Sequence, residues 1–445
     1  MFEFDYLNTP TEHANSDSRK KIVVIGGGII GTCVVYYLTK HPKFDPEKYH
    51  IIILESTEVA GGASGKAGGL LASWAFPEEI VPLSFELHQQ LSDLYNGSEE
   101  WGYRRINTLS LEATAVEEDA EDITDTKNTN SENSDEVSID NAKEDDGIFM
   151  NLDQSGLPKD LQWIDRKKVK EWTSLGNTGS TAQVLPYKFT TFILNEALKS
   201  DSVDLIRGKL SNINLGDDGV VKSIDYIQTN PSLDGRGEII DIDNIDKLVL
   251  AMGPWTSKIL LDCPISALKA HSIILNPDSE ERMAKFQEIL KPYALFTDLE
   301  LPNFQSFAPE IYARKEDLYI CGEGDSLEEL PDDLSKVEVN KQKCDELLHY
   351  AKKIVSPKIF EMTKKNIIQT AGYLPVLNVD TTSGPLIGET NVKNLLIAGG
   401  HSCWGINNAP VTGKLMAELI IDGEVTAANI SSLDPSLYFD ASILD

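Results

Sequence analysis

With 71 acidic against 40 basic residues among 445, the chain carries a formal charge of −31, which repels phosphate backbones and anionic lipid surfaces and sets nucleic acid aside as a partner. Its length suits two or three domain-sized units, and 41% hydrophobic residues can fill a substantial globular core. Five widely spaced cysteines, Cys33, Cys263, Cys321, Cys344 and Cys403, form no CxxC or Cys/His cluster; this excludes a recognisable zinc or iron–sulfur motif and points to reduced thiols in a cytoplasmic setting, with peripheral organelle association left open.

Residues 1–18 are polar and without period, and read as a loose arm. Arg19-Lys20-Lys21 followed by the uncharged run Ile22 to Thr39 has the outline of a signal sequence. Three consecutive glycines break it, no small-residue cleavage site follows, and it falls short of the ~20 apolar residues of a span, so no integral membrane contact is expected. The same stretch makes better sense as a strand (Ile22–Ile25), a glycine turn (Gly26-Gly27-Gly28-Ile29-Ile30-Gly31), a helix, and a second strand, His50–Leu54, that stops on Glu55. Gly26 allows the tight turn, Gly28 lets backbone approach a pyrophosphate, and Gly31 lets the helix pack on the strand, while the helix N-terminus offers free N–H groups. Glu55 lies 24 residues past Gly31, against an expectation of roughly 20, and can accept from a ribose hydroxyl.

The loop Ala60 to Gly69 is rich in small residues around one cation, Lys66, a composition suited to a phosphate or an anionic ring edge. Pro82–Tyr95 reads as an amphipathic helix with Leu83, Leu87, Leu91 and Leu94 on its core face and His88 nearer the polar side. Residues 112–147 are strongly acidic, with 14 acids and two lysines from Glu112 to Asp146, and read as a disordered insertion that a protein partner could use. A helix over Thr191–Lys199, a strand near Val203–Ile206 and a further extended piece at Leu210 follow. Lys247–Thr256 repeats the order strand, glycine turn, helix start at a proline. Ala267–Asp325 alternates strands with aromatic positions and predicts a separate antiparallel sheet. Near the C-terminus, Asn394–Gly400 leads into a helix from Pro410 to about Asp422, capped by Gly423.

Taken in order, these motifs resemble the FAD-dependent oxidoreductases of the D-amino-acid oxidase superfamily: the GGGIIG turn with Glu55, the loop Gly61–Leu71, the LAxGPWT strand at Val249–Thr256, and AGGHxxWGxxxAPxTGK at Ala398–Lys414. The wording of Gly61–Pro77 and Gly399–Lys414 resembles a group of fungal oxidoreductases in that family. The resemblance implies an α/β fold: a Rossmann-like, doubly wound FAD-binding domain (20–80, 181–265 and 366–425) and an interleaved α+β substrate domain with an antiparallel sheet (81–180 and 266–365). It implies FAD contacts from Gly26, Gly28, Ile29, Ile30, Gly31, Glu55, Ser56, Gly62, Ala63, Ser64, Lys66, Leu210, Gly253, Trp255, Gly400, Trp404, Gly405 and Ile406. The activity implied is oxidation of an amine-like C–N bond by hydride transfer to the flavin, on a small-molecule substrate.

Two departures matter. Amino-acid-oxidising members commonly read GLRP where this chain has Gly372-Tyr373-Leu374-Pro375, so Leu374 replaces the arginine that clamps a substrate carboxylate. Members with covalent flavin carry a cysteine where Ala371 stands, so non-covalent FAD is implied. Trp74, His271, Tyr312, Arg314 and His401 are the substrate-pocket candidates. Two other readings stay open from residues alone: a flavoprotein with structural cofactor that works through protein contacts, and an NAD(P)-linked dehydrogenase.

Overall fold

The computed structural model describes residues 3–7, 18–115, 156–229, 237–302, 306–363, 366–381 and 384–444. Its first sheet is organised around Lys20–Ile25, whose four apolar residues are all buried because the strand is covered on both faces, as the centre of a parallel sheet must be. Tyr49–Glu55 pairs with it on one side and Ile245–Leu250 on the other, both in parallel. The full spatial order is Ile239–Ile242, Val221–Gln228, Val203–Leu215, Tyr49–Glu55, Lys20–Ile25, Ile245–Leu250, Leu395–Gly399, Leu386–Glu389, with antiparallel pairs at the two ends. The helices Ile29–Lys40, Pro186–Ala197 and Gly405–Asp422 cover one face and share one core with it, through Cys33, Val34, Phe189, Ile193, Leu415 and Met416.

The second sheet runs Ile367–Leu377, Ile265–Leu275, Leu318–Cys321, Glu310–Ala313, Tyr293–Glu300, Asn107–Thr114, Val169–Gly176. It is antiparallel except where Tyr293–Glu300 lies parallel to Asn107–Thr114. Alternation along its strands gives it two different faces. One carries Ile273, Leu295, Ile311 and Ile320, packed in a core with Phe286, Leu347, Ala351 and Ile354 of the helices Glu280–Ile289 and Lys341–Ile354. The other carries Ile274, Ala294, Phe296, Tyr312, Tyr319 and Cys321 and packs against Leu70, just past the glycine-rich loop.

Several expectations shift. Glu112–Thr114 are the end of a paired strand rather than insertion; residues 116–147 lie outside the described residues. The helix Val81–Tyr95 buries Phe85, Leu87 and Leu91 in the first core, so it belongs with the first sheet. Leu83, Leu87 and Leu91 of the expected stripe pack on that core, whereas Leu94 is 66% exposed and His88 is buried rather than near the polar side. Ile367–Leu377 pairs with Ile265–Leu275 over eleven residues and so belongs to the second sheet. Leu210 is part of one long strand from Val203 to Leu215, and the helix expected from Thr191 begins at Pro186. The C-terminal helix begins at Gly405, which leaves Pro410 inside it.

Candidate active site

A cavity of about 550 Å³ runs past five adjacent strands, from Gly208–Ser211 in the middle of the long strand Val203–Leu215 through the carboxyl ends at Leu54–Ser56, Ile25–Gly26 and Ala251–Met252 to Ala398–Gly399. Five strands about 4.8 Å apart span roughly 19 Å, which suits an extended dinucleotide, and the carboxyl edge is where open α/β sheets bind ligands.

The glycine turn forms the near wall. Gly26 has φ +109°, a conformation closed to side chains, and its N–H donates to Leu54 O at 2.8 Å. A Cβ on Gly31 would lie 2.0 Å from Gly26 O, so the helix start and the turn can meet only through a glycine. Glu55, 7% exposed, accepts from Gly27 N–H at 2.7 Å on one oxygen and from Thr57 N–H at 2.8 Å on the other. Burial pushes its carboxyl above the usual range, and these hydrogen bonds oppose that shift. Ser64 Oγ accepts from Ile29 N–H at 2.9 Å and so ties the glycine-rich loop to the helix N-terminus.

The far end is built by Tyr373-Leu374-Pro375 from the second sheet and by His401–Cys403, Gly405 and Ile406. His401 Nε2 lies 3.0 Å from Thr412 Oγ1, which itself donates to Asn408 O at 2.9 Å. Thr412 therefore accepts from His401 Nε2–H, and Nδ1 is left as an unprotonated acceptor with no partner among the described residues. Burial pulls the pKa of His401 down to about 3, so the ring is neutral. The donor and acceptor set fits FAD: free backbone at the glycine turns, a buried carboxylate at the second strand's end, and a neutral flavin-end wall.

Of the residues expected at the cofactor, Gly26, Gly28, Ile29, Ile30, Glu55, Ser56, Gly62, Ala63, Ser64, Leu210, Gly253, Trp255, Gly405 and Ile406 line this cavity. Gly31, Lys66, Gly400 and Trp404 do not. Gly31 is a packing position, and Gly400 lies against Ile265 and Leu377. Trp404 packs edge-on against Trp74 and Phe76. Lys66 approaches the Gly372 strand, and burial lowers its pKa.

Among the substrate candidates only His401 lines the cavity. His271 faces the helix Lys341–Ile354, where its Nε2 accepts from Asn340 N–H at 3.0 Å. Arg314 is buried in a two-pronged pair with Asp317 (Nε to Oδ1 2.5 Å, Nη2 to Oδ2 2.9 Å) and donates to Ala67 O at 3.1 Å, so it is a brace rather than a clamp. Tyr312 lies on the inner face of the second sheet with its hydroxyl donating to Glu310. Trp74 is 41% exposed at the edge of the Trp404 cluster.

Sequence reasoning missed the strap over the cavity. Asp332, Asp333, Leu334 and Lys336 line it. The strap is held through its backbone: Tyr373 Oη donates to Glu329 O (2.7 Å), Trp255 Nε1 to Pro331 O (2.8 Å) and Lys209 Nζ to Asp332 O (3.1 Å). An acidic loop with no period gave no signal for this. Ser84, His88 and Asn407, which brace the start of the C-terminal helix, were also missed. No cluster of metal-ligating side chains occurs among the described residues, and no helix among them is long and apolar enough to cross a membrane.

The family model for FAD dependent oxidoreductases matches residues 21–419. The protein named Putative oxidoreductase TDA3 of Saccharomyces cerevisiae is 43% identical in an alignment covering 99% of each chain. Putative oxidoreductase C1F5.03c of Schizosaccharomyces pombe is 33% identical over 94% of this chain and 98% of its own. The crystal structure of glycine oxidase from Bacillus cereus superposes with a TM-score of 0.61 at 18% identity, covering 91% of this chain and 96% of that one, a likeness of fold. The match across nearly the whole chain, on a cavity built by the same motifs, places the protein in the D-amino-acid oxidase family of FAD-dependent oxidoreductases.

Proposed function

We propose that the chain oxidises the C–N bond of an amine whose carboxylate, if it has one, stays in solvent. The observation that carries this reading is Leu374 in the cavity wall with no arginine lining the cavity among the described residues. Lysines do line it, but Lys209, Lys258 and Lys336 gather around Asp332 of the strap, whose carboxyl they hold below its ordinary range. A substrate carboxylate buried beside Leu374 would forgo charge-assisted hydrogen bonds worth about 1.5–3 kcal/mol each and carry a desolvation cost besides.

Bound FAD would supply the hydride acceptor. The chain's part is to bind and orient it: the Gly26–Ile30 turn and helix N-terminus take the pyrophosphate, Glu55 a ribose hydroxyl, Leu210 backbone the adenine, and Gly405–Ile406 the flavin edge. The helix Gly405–Asp422 directs its positive end to that edge, where it stabilises negative charge. The strap and Leu374 exclude water. Attachment is non-covalent in this reading: Ala371 offers no nucleophile.

The test is anaerobic mixing of the purified flavin-loaded chain with a panel of primary and secondary amines, followed by flavin absorbance. Saturable bleaching by an amine is expected. A flavin that no amine reduces would favour a structural cofactor.

A further inference from the structure

We propose that Glu310 is the substrate-recognition group of this site and that it pairs with the ammonium of a cationic amine. This rests on the amine-oxidation reading and names the substrate class.

Strand register aligns Glu310 with three other residues. Glu310 stands opposite Cys321, Cys321 opposite Ser272, and Ser272 opposite Thr370, so these four residues form one cross-strand row. Side chains two apart on a strand share a face, so the row lies on the face that also presents Gly372 and Leu374. Leu374 lines the cavity, and a Cβ at Gly372 would sit 3.6 Å from Ala63 Cα in the glycine-rich loop. Glu310 thus stands on the sheet face that carries Leu374 and meets the glycine-rich loop, beside the cavity rather than among the residues that line it. Cys403, a lining residue, is near enough for the Glu310 charge to raise its pKa.

The second step is partnership. Glu310 is half-buried, and both of its protein partners, the Tyr312 hydroxyl and Cys321 Sγ at 3.8 Å, reach the same oxygen, Oε2. Among the described residues, Oε1 has no hydrogen-bond partner and the carboxylate has no cation; the nearby Arg314, over the Tyr319 ring, is committed to Asp317. Carboxylates are seldom withdrawn from water without a pairing cation, and those that are cluster at functional sites. Burial raises the Glu310 carboxyl against the hydrogen bonds from Tyr312 and Cys321, and a cation paired with it would oppose that shift.

The third step is the lining. Tyr312 stacks on Tyr319 with centroids 5.9 Å apart and meets Phe296 edge-on at 6.1 Å. A carboxylate beside aromatic rings selects an alkylammonium through ion pairing and cation–π contact, and it repels the carboxylate of an amino acid.

The experiment is equilibrium titration of the FAD-loaded chain under anaerobic conditions, read by perturbation of the flavin spectrum. The probes are n-hexylamine and spermidine as cations, and hexanoate and benzoate as anions. The cations are expected to saturate and the anions to leave the spectrum unchanged. Glu310→Gln, with flavin content and melting temperature as controls, should weaken cation binding roughly 10- to 100-fold, and Glu310→Asp should recover part of it. If Glu310→Gln misfolds, the comparison of cations with anions in the unmodified chain decides. Saturation by benzoate but not by the amines, no response to the cations, or undiminished cation affinity in Glu310→Gln would overturn the proposal. A chain purified without flavin would instead overturn the underlying cofactor assignment.

Discussion

His88 donates its Nε2–H to the carbonyl oxygen of Ile406 at 2.9 Å, and that carbonyl is the one that Pro410, four residues on and without an N–H, cannot engage. The helix that borders the cavity therefore runs through a proline because a side chain from Val81–Tyr95 replaces the missing backbone donor. Next to it, Ser84 Oγ donates to Asn407 O at 2.6 Å.

Burial pulls the pKa of His88 down to about 4 and that of His401 to about 3, from an ordinary 6.5. The unfolded chain binds the extra protons within that window, so the stability the two rings hold is complete above pH 6.5 and is lost as the pH falls toward about 4 for His88 and about 3 for His401. The expected cost is about 1.4 kcal/mol per pH unit for each ring. Melting temperatures from pH 7.5 to 4.5 should fall, with a shallower slope in His88→Gln.

Arg314→Ala would leave Asp317, 7% exposed, without its ion-pair partner, with only the more distant Arg104 charge to offset it. A loss of about 3–5 kcal/mol is expected by denaturant unfolding. A normal unfolding midpoint with a raised KM would mean that Arg314 contacts substrate after all.

Gly31→Ala places a methyl group 2.0 Å from Gly26 O, so either the turn or the helix must shift. The expected result is about 1–3 kcal/mol of destabilisation and a chain purified with little flavin, measured by calorimetry and by absorbance of heat-released cofactor.

Leu374→Arg puts a guanidinium in the cavity wall. Benzoate, expected to leave the spectrum of the unmodified chain unchanged, should then perturb the flavin spectrum and saturate.

How far the sequence could be read depended on the range of the interactions. The glycine turn and Glu55 were legible because their chemistry lies within one strand–helix–strand unit, and the Leu374 substitution because it sits inside a short motif. Arg314 and His271 read as free pocket groups because their fates depend on partners across a hairpin turn or 69 residues away, Asp317 and the Asn340 N–H. The helix start at Pro410 was misplaced for the same reason: proline is a sound first-turn signal until a distant histidine supplies the lost hydrogen bond. Leu94, apolar yet 66% exposed, followed the helical period without a surface to cover.

The most direct test of the account is a comparison of matched pairs that differ only in a carboxylate: ethylamine against D-alanine, and dimethylamine against sarcosine, each mixed anaerobically with the flavin-loaded chain while its absorbance is followed. With Leu374 in the wall and no arginine lining the cavity among the described residues, the amine of each pair should bleach the flavin faster and at lower concentration than its amino acid. Fast, saturable bleaching by D-alanine or sarcosine, with the matched amines inert, would contradict it.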